Sequence, residues 1–416
     1  MCSMQGGGAV RRPGGRVLQT KSTSIALVGL LALMLLLLVG CGSESTDDPG
    51  EEEENASSEA TTEPSQSTTV GIANLTRLTY DIGYPQYPDV SPDGTKIVFQ
   101  SRWRTPSRKG GWLNGPWVEE IYAVNADGTG LTQLTDLVTA RYPELSPDGT
   151  KIAFEGQGIR VINVDDTGPT VTTQGVGRPT WSPDGTKIAF LRSESGADLG
   201  RARSDGVYVI NADGTGLAPL QQGFPPGAPG PIWSPEGSKI IFNIASSPPQ
   251  FLPDTYMMNA DGTGLTRPFT DNRIQNRVQQ PVFSPDGAKI AFHSREASTP
   301  ANPQPYADIY VMNADGTGLT NITNSPQVED VEATFTPDGK KIAFRSNPVW
   351  DDEIYLMNLD GTDPVNLTNR ESTYDHSPTF SADGKKLVFA SRWFDPDRGS
   401  NPDPVQAIYI ADFSSG

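Results

Sequence analysis

The chain has two cysteines and two histidines in 416 residues. That scarcity removes several classes of chemistry at the outset. A disulfide scaffold needs many more cysteines. A zinc centre needs a cluster of Cys and His ligands, which two dispersed histidines, His293 and His376, do not supply. No G-x-S-x-G nucleophile elbow occurs, so a serine hydrolase of the usual α/β type is not indicated. Both histidines read as ordinary rim residues, His293 at the end of a strand and His376 just before one. Basic residues are also few: 32 Lys and Arg stand against 50 Asp and Glu, a formal net charge of −18. Such a field repels phosphate, so no nucleic-acid partner is expected.

What is abundant is Gly and Pro, 43 and 36 residues. Together they make up about 19% of the chain, against an average near 12%. They punctuate turns and break helices, which points away from a helical bundle or a doubly wound enzyme.

Charge is unevenly placed. Residues 1–40 carry Arg11, Arg12, Arg16 and Lys21 and no acid. Residues 25–39 then read IALVGLLALMLLLLV, an uncharged run of signal-peptide length. It ends in Leu38-Val39-Gly40-Cys41, which resembles a bacterial lipobox. That resemblance implies cleavage before Cys41 and acylation of Cys41, and several acyl chains hold a protein stably on a membrane. Arg11-Arg12 lacks the apolar residues that follow a twin-arginine export signal. Cys2 leaves with the leader, so the mature chain is expected to have no free thiol and no thiol catalysis.

Residues 41–70 contain nine acids, no base and almost no apolar side chains. They read as an extended acidic tether. The net charge left for residues 71–416 is −13.

From residue 71 the sequence repeats itself. Seven Ser-Pro-Asp-Gly turns or close variants begin at Ser91, Ser146, Ser182, Ser234, Ser284, Thr336 and Ser381, 36 to 55 residues apart. A second signature, Asn-Ala-Asp-Gly-Thr-Gly, begins at Asn125, Asn211, Asn259 and Asn313 and is degenerate at Asn163 and Asn358. Between them lie short runs such as Lys151-Ile152-Ala153-Phe154 and Ile309-Tyr310-Val311-Met312. Asp-Gly at both turns tolerates the positive φ of tight hairpins, and the Pro fixes a turn's first central residue. Each unit thus predicts four antiparallel strands, and the whole predicts an all-β, seven-bladed β-propeller. The seventh unit lacks its fourth strand. A lone strand at Asn74–Thr79, before the first unit, is expected to supply it and close the ring.

These turns, KIAF runs, IYVMNADGTG hairpins and Leu-Thr-rich strands resemble the TolB family of WD-like propellers over about residues 72–413. The same repeats are found in the propellers of tricorn protease and prolyl oligopeptidase relatives. The resemblance implies the fold more than an activity. It also departs from the family: TolB has six blades and an N-terminal α/β domain, and the peptidases add a hydrolase domain. The related oligogalacturonate lyases use a histidine-rich metal site, which is not reproduced here.

Strand parity places both repeated turns on one face and the long, blade-specific loops on the other. Recognition needs difference between blades, so the variable face is the expected binding rim. Its oddest loop, 103–117, combines Trp103, Arg104, Arg108, Lys109, Trp112 and Trp117. Arg392, Trp393 and Phe394 of the seventh unit echo it across the ring closure. Trp and Arg are enriched at interface hot spots, although these side chains can equally pack the loop onto the rim. Arg295, Glu296, Tyr306, Trp350 and Asp351 are further rim candidates. Paired carboxylates such as Glu329-Asp330 and Asp351-Asp352 read as solvated loop charges. The NADGTG turn superficially resembles the start of a calcium loop, but the later ligands are missing, so it reads as a structural hairpin. No metal and no cofactor are expected. Taken together, the residues predict a lipid-anchored, extracytoplasmic scaffold for a protein or envelope polymer. An enzyme acting on a polysaccharide or peptide at the channel mouth is the alternative.

Overall fold

A computed structural model describes residues 70–104, 116–165, 171–173, 175–193, 204–222, 230–245, 253–269, 271, 274, 278–296, 305–348, 351–393 and 405–416. Within these, seven antiparallel sheets follow one another along the chain. Blade one contains Tyr84–Val90, Lys96–Arg104, Trp117–Asn125 and Thr132–Gln133. Blade seven contains Thr373–Phe380, Lys386–Trp393 and Val405–Ser414, and its outer strand is Gly71–Arg77 from the start of the propeller. Gly71 pairs with Ser414 and Arg77 with Tyr409. The ring therefore closes as the repeats predict, and the sheet edge of the last blade is covered.

The turns explain why the blades form. In Ser91-Pro92-Asp93-Gly94 the Asp93 carboxylate accepts from Ser91 Oγ at 2.6 Å and from the Thr95 N–H at 3.0 Å. Ser91 Oγ in turn accepts from the Lys96 N–H at 2.9 Å. Gly94 has a φ of 71°, a left-handed backbone that suits glycine. In the NADGTG hairpin, Asp127 accepts from the Thr129 N–H at 2.9 Å. Both aspartates are spent on holding their turns.

Inside each blade the second strand opens on a lysine followed by three buried apolar residues. Ile152, Ala153 and Phe154 are all buried. A Phe of this strand stacks on the Tyr opposite it in the third strand, as in Phe99–Tyr122, Phe292–Tyr310 and Phe389–Tyr409. The cores lie between blades. Leu387 and Phe389 of blade seven pack on Ala343, Ile354 and Leu356 of blade six, while Val388 and Ala390 face Ile97 and Phe99 of blade one.

Blade four differs from the prediction of four full strands. Its sheet has three, Ile232–Trp233, Lys239–Ala245 and Pro253–Asn259, and a single bridge, Met257 to Thr266, stands where the fourth would be. In blade one the Leu134 N–H continues the outer strand by donating to the Ile121 carbonyl. The matching position in blade four is Pro268, which has no N–H to give.

Candidate functional site

First strands of neighbouring blades lie beside one another and line the axis. Each of six shows a register shift against its second strand. At five of these bulges a residue other than glycine holds a left-handed backbone: Tyr87, Tyr142, Gln280, Glu332 and Ser377, with φ between 45° and 58°. Four of the five precede proline, which makes that conformation still less favourable. Such residues cost on the order of 1–3 kcal/mol each and persist only when their surroundings impose them.

The surroundings do so across the blade boundary. The Tyr142 N–H donates to Gln100 Oε1 of blade one at 2.8 Å. The Ser377 N–H donates to Glu332 Oε2 of blade six at 2.6 Å. Glu155 of blade two accepts in the same way from the Gly177 N–H of blade three. At these three bulges a main-chain donor turns out of its own ladder, and the previous blade captures it. Two further carboxylates, Asp89 and Glu144, accept from the Leu145 and Trp181 N–H groups of the next blade at 2.8 and 3.0 Å. Burial raises the pKa of both, Glu144 to about 7, with Arg178 opposing the shift.

Where blades six, seven and one meet, the bulges open into a cavity of about 210 Å³. Its walls are Gln86 and Tyr87; Glu332, Arg345 and Asp352; and Tyr374, His376, Ser377, Arg392 and Gln406. These residues sit near the beginnings of first and third strands or the ends of second strands, so the cavity lies at the variable-loop end of the channel. Arg345 Nη1 donates to Asp352 Oδ2 at 2.9 Å, and its Nε is 3.8 Å from Glu332 Oε1. One guanidinium thus serves two carboxylates. Arg392 stacks on the Tyr374 ring at 4.5 Å. Its Nε is buried without a hydrogen-bond partner, as is Gln406 Oε1 directly across the sheet. His376 Nδ1 lies 3.1 Å from Ser377 Oγ. Burial lowers the His376 pKa, and the raising effect of Glu332 is partly offset by Arg345.

Of the rim residues expected from the sequence, Arg392 lines this cavity. Trp103 and Trp393 occupy matching positions and pack edge-on against Tyr122 and Tyr409 of their own blades. Trp117 packs edge-on against Tyr84 beneath the Arg102 guanidinium, which is 4.1 Å above its ring. Arg77 is held between Tyr80 and Trp393, at 4.2 and 4.8 Å. Cys41, Arg108, Lys109, Trp112, Trp350, Phe394 and the Arg104 side chain lie outside the described residues. Arg295 pairs with Glu329, Glu296 meets the Tyr310 hydroxyl, and Asp351 accepts from the Ser372 N–H. Tyr306 is exposed. His293 is buried beside Gln279, and desolvation lowers its pKa to about 4. Among the described residues no group of three or more His, Cys, Asp or Glu could hold a metal ion.

Sequence reasoning missed Tyr87, Glu332, Arg345, Ser377 and Gln406. The one available signal was the variable residue four places before each Ser-Pro-Asp-Gly turn, within otherwise similar repeats.

Residues 278–397 match the TolB beta propeller domain family. Over that stretch the propeller is of the TolB type. A TolB homolog from Chlorobium luteolum is 30% identical over 187 residues, which cover 42% of this chain and 37% of that protein. The chain therefore spans little more than a third of that curated relative. Among solved structures, oligogalacturonate lyase from Vibrio parahaemolyticus has a TM-score of 0.59 at 17% identity, over 81% of this chain and 93% of that one. The propeller domain of the Trilobed protease from Pyrococcus furiosus has a TM-score of 0.55 at 13% identity, over 80% and 94%. At these identities the TolB-type propeller shares a fold with both, and its site must be argued from its own residues.

Proposed function

We propose that the chain is an exported protein, anchored by lipid at Cys41, whose TolB-type propeller binds a protein or envelope polymer at the variable-face mouth of its channel. One observation carries this reading. The charged cavity around Arg345 and Arg392 lies toward the end of the ring where second strands finish and third strands begin, the end from which the blade-specific segments leave. The test is capture from solubilised envelope by the full chain. Arg392→Ala and Arg345→Ala should each lower capture at least tenfold while the melting transition stays cooperative. Undiminished capture by both variants would overturn the site. Labelled palmitate should enter the wild type and not Cys41→Ser; equal labelling would remove the anchor.

A second reading has its own observation. His376 lies against Ser377, beside the Glu332 carboxylate, at the same mouth. The arrangement would allow an enzyme acting on a polysaccharide or peptide by proton transfer. Turnover of an envelope oligosaccharide or peptide that disappears in His376→Ala would support it. Turnover that survives would exclude the histidine from the reaction.

A further inference from the structure

The charges around the cavity are separated rather than paired off. On the blade-six wall, Glu332 and Asp352 share the single guanidinium of Arg345. That wall carries one surplus negative charge. On the blade-seven wall, Arg392 makes no ion pair among the described residues, and its Nε faces no acceptor. That wall carries one surplus positive charge. His376 stands between them, and burial keeps its pKa down, so it adds no charge at neutral pH. Tyr87 is likewise neutral, its pKa raised by burial. The cavity is therefore neutral as a whole and strongly dipolar across its width.

A second feature is independent of the charges. Gln406 is 6% exposed, lines the cavity, and has a carbonyl oxygen without a donor. Leaving a buried polar atom unpaired is unfavourable, and a ligand N–H would relieve it.

We propose that this cavity binds an amino-acid zwitterion. The carboxylate sits on Arg392, which is braced by Tyr374. The ammonium sits on the Glu332–Asp352 side and donates to Gln406 Oε1. This deepens the scaffold reading of the same site, by naming the chemistry held at the mouth. The zwitterion can be a free solute or an amino acid joined to an envelope polymer through its side chain, which leaves its ammonium and carboxylate both free. A sugar ring fits less well, because Arg392 covers one face of Tyr374 and Tyr87 is turned against Tyr142, 5.5 Å away. Sugar rings are gripped largely by stacking on open aromatic faces.

The test is calorimetric titration of the full chain with four probes: alanine of either hand, N-acetylalanine, alaninamide, and a polysaccharide carrying lysine linked through its side-chain nitrogen. Free alanine should bind at least tenfold tighter than either blocked form. Arg392→Gln should remove the advantage of alanine over alaninamide. Asp352→Asn should reduce its advantage over N-acetylalanine. Both variants should keep the wild-type melting profile; if one does not, the comparison of the blocked probes on the wild type decides alone. Preference for the polysaccharide over free alanine identifies a polymer as the source. N-acetylalanine binding as well as alanine would overturn the ammonium subsite, and alaninamide doing so would overturn the carboxylate subsite. No binding by any probe would overturn the proposal. If envelope capture persists in that case, the scaffold reading stands without it.

Discussion

Gln100 shows what a single side chain does in this ring. Its Oε1 receives the Tyr142 N–H that the bulge turns away from blade two. Gln100→Ala leaves that donor buried and unpaired, and is expected to cost about 1–3 kcal/mol in urea unfolding. A loss below experimental error would show that Tyr142 holds its left-handed backbone without the latch. Glu144 works in the opposite sense. Its folded pKa, about 7, lies above the ordinary value of 4.5. A raised carboxyl pKa means that folding favours the protonated form, so this group's contribution is full below about 4.5 and fades as pH rises towards 7. At 1.36 kcal/mol per unit the loss is about 3 kcal/mol. Glu144→Gln should flatten the stability–pH curve of the wild type across that interval. An unchanged slope would show that Glu144 titrates normally.

At the scale of strands and turns, Pro268 is the clearest irregularity. Pro268→Leu restores the N–H that Leu134 provides in blade one. Hydrogen exchange should slow along the outer edge of Pro253–Asn259, with a gain of about 0.5–1.5 kcal/mol. No change in protection would show that the proline is not what limits the strand. Elements were also what the sequence disclosed best. Each Ser-Pro-Asp-Gly turn recurs with its own hydrogen-bond pattern, so a local motif was enough to place seven sheets and the closing strand. The cavity was less legible because its walls come from three blades that are distant in sequence. Glu332 and Ser377 look like ordinary strand residues until the bulges bring them to one point. The Trp residues drew attention by type, yet Trp103 and Trp393 are edge-packed on blade tyrosines. The contrast between Pro268 and Leu134 was on the page in the sequence, but it depended on knowing which main-chain N–H the outer strand required.

For the whole molecule, the repeats act together on acid stability. Asp93, Asp148, Asp184, Asp286, Asp338 and Asp383 hold the first turns, and Asp127, Asp213, Asp261, Asp315 and Asp360 the hairpins. All have pKa values lowered by those hydrogen bonds, that of Asp148 to about 2, although burial opposes the shift at Asp338. A lowered carboxylate stabilises the fold above its ordinary pKa and loses that effect as pH falls through the folded value. Unfolding should therefore steepen sharply below pH 4, with several protons taken up per molecule in a calorimetric series. Uptake of one proton or fewer would contradict this. The closing strand brings a different consequence. Because Gly71 pairs with Ser414, the chain enters and completes the ring on the repeated-turn side, away from the cavity. A fluorophore, bead or surface joined beyond Ser414 would hold the ring by its base, leaving the cavity pointing outward like the bowl of a cup.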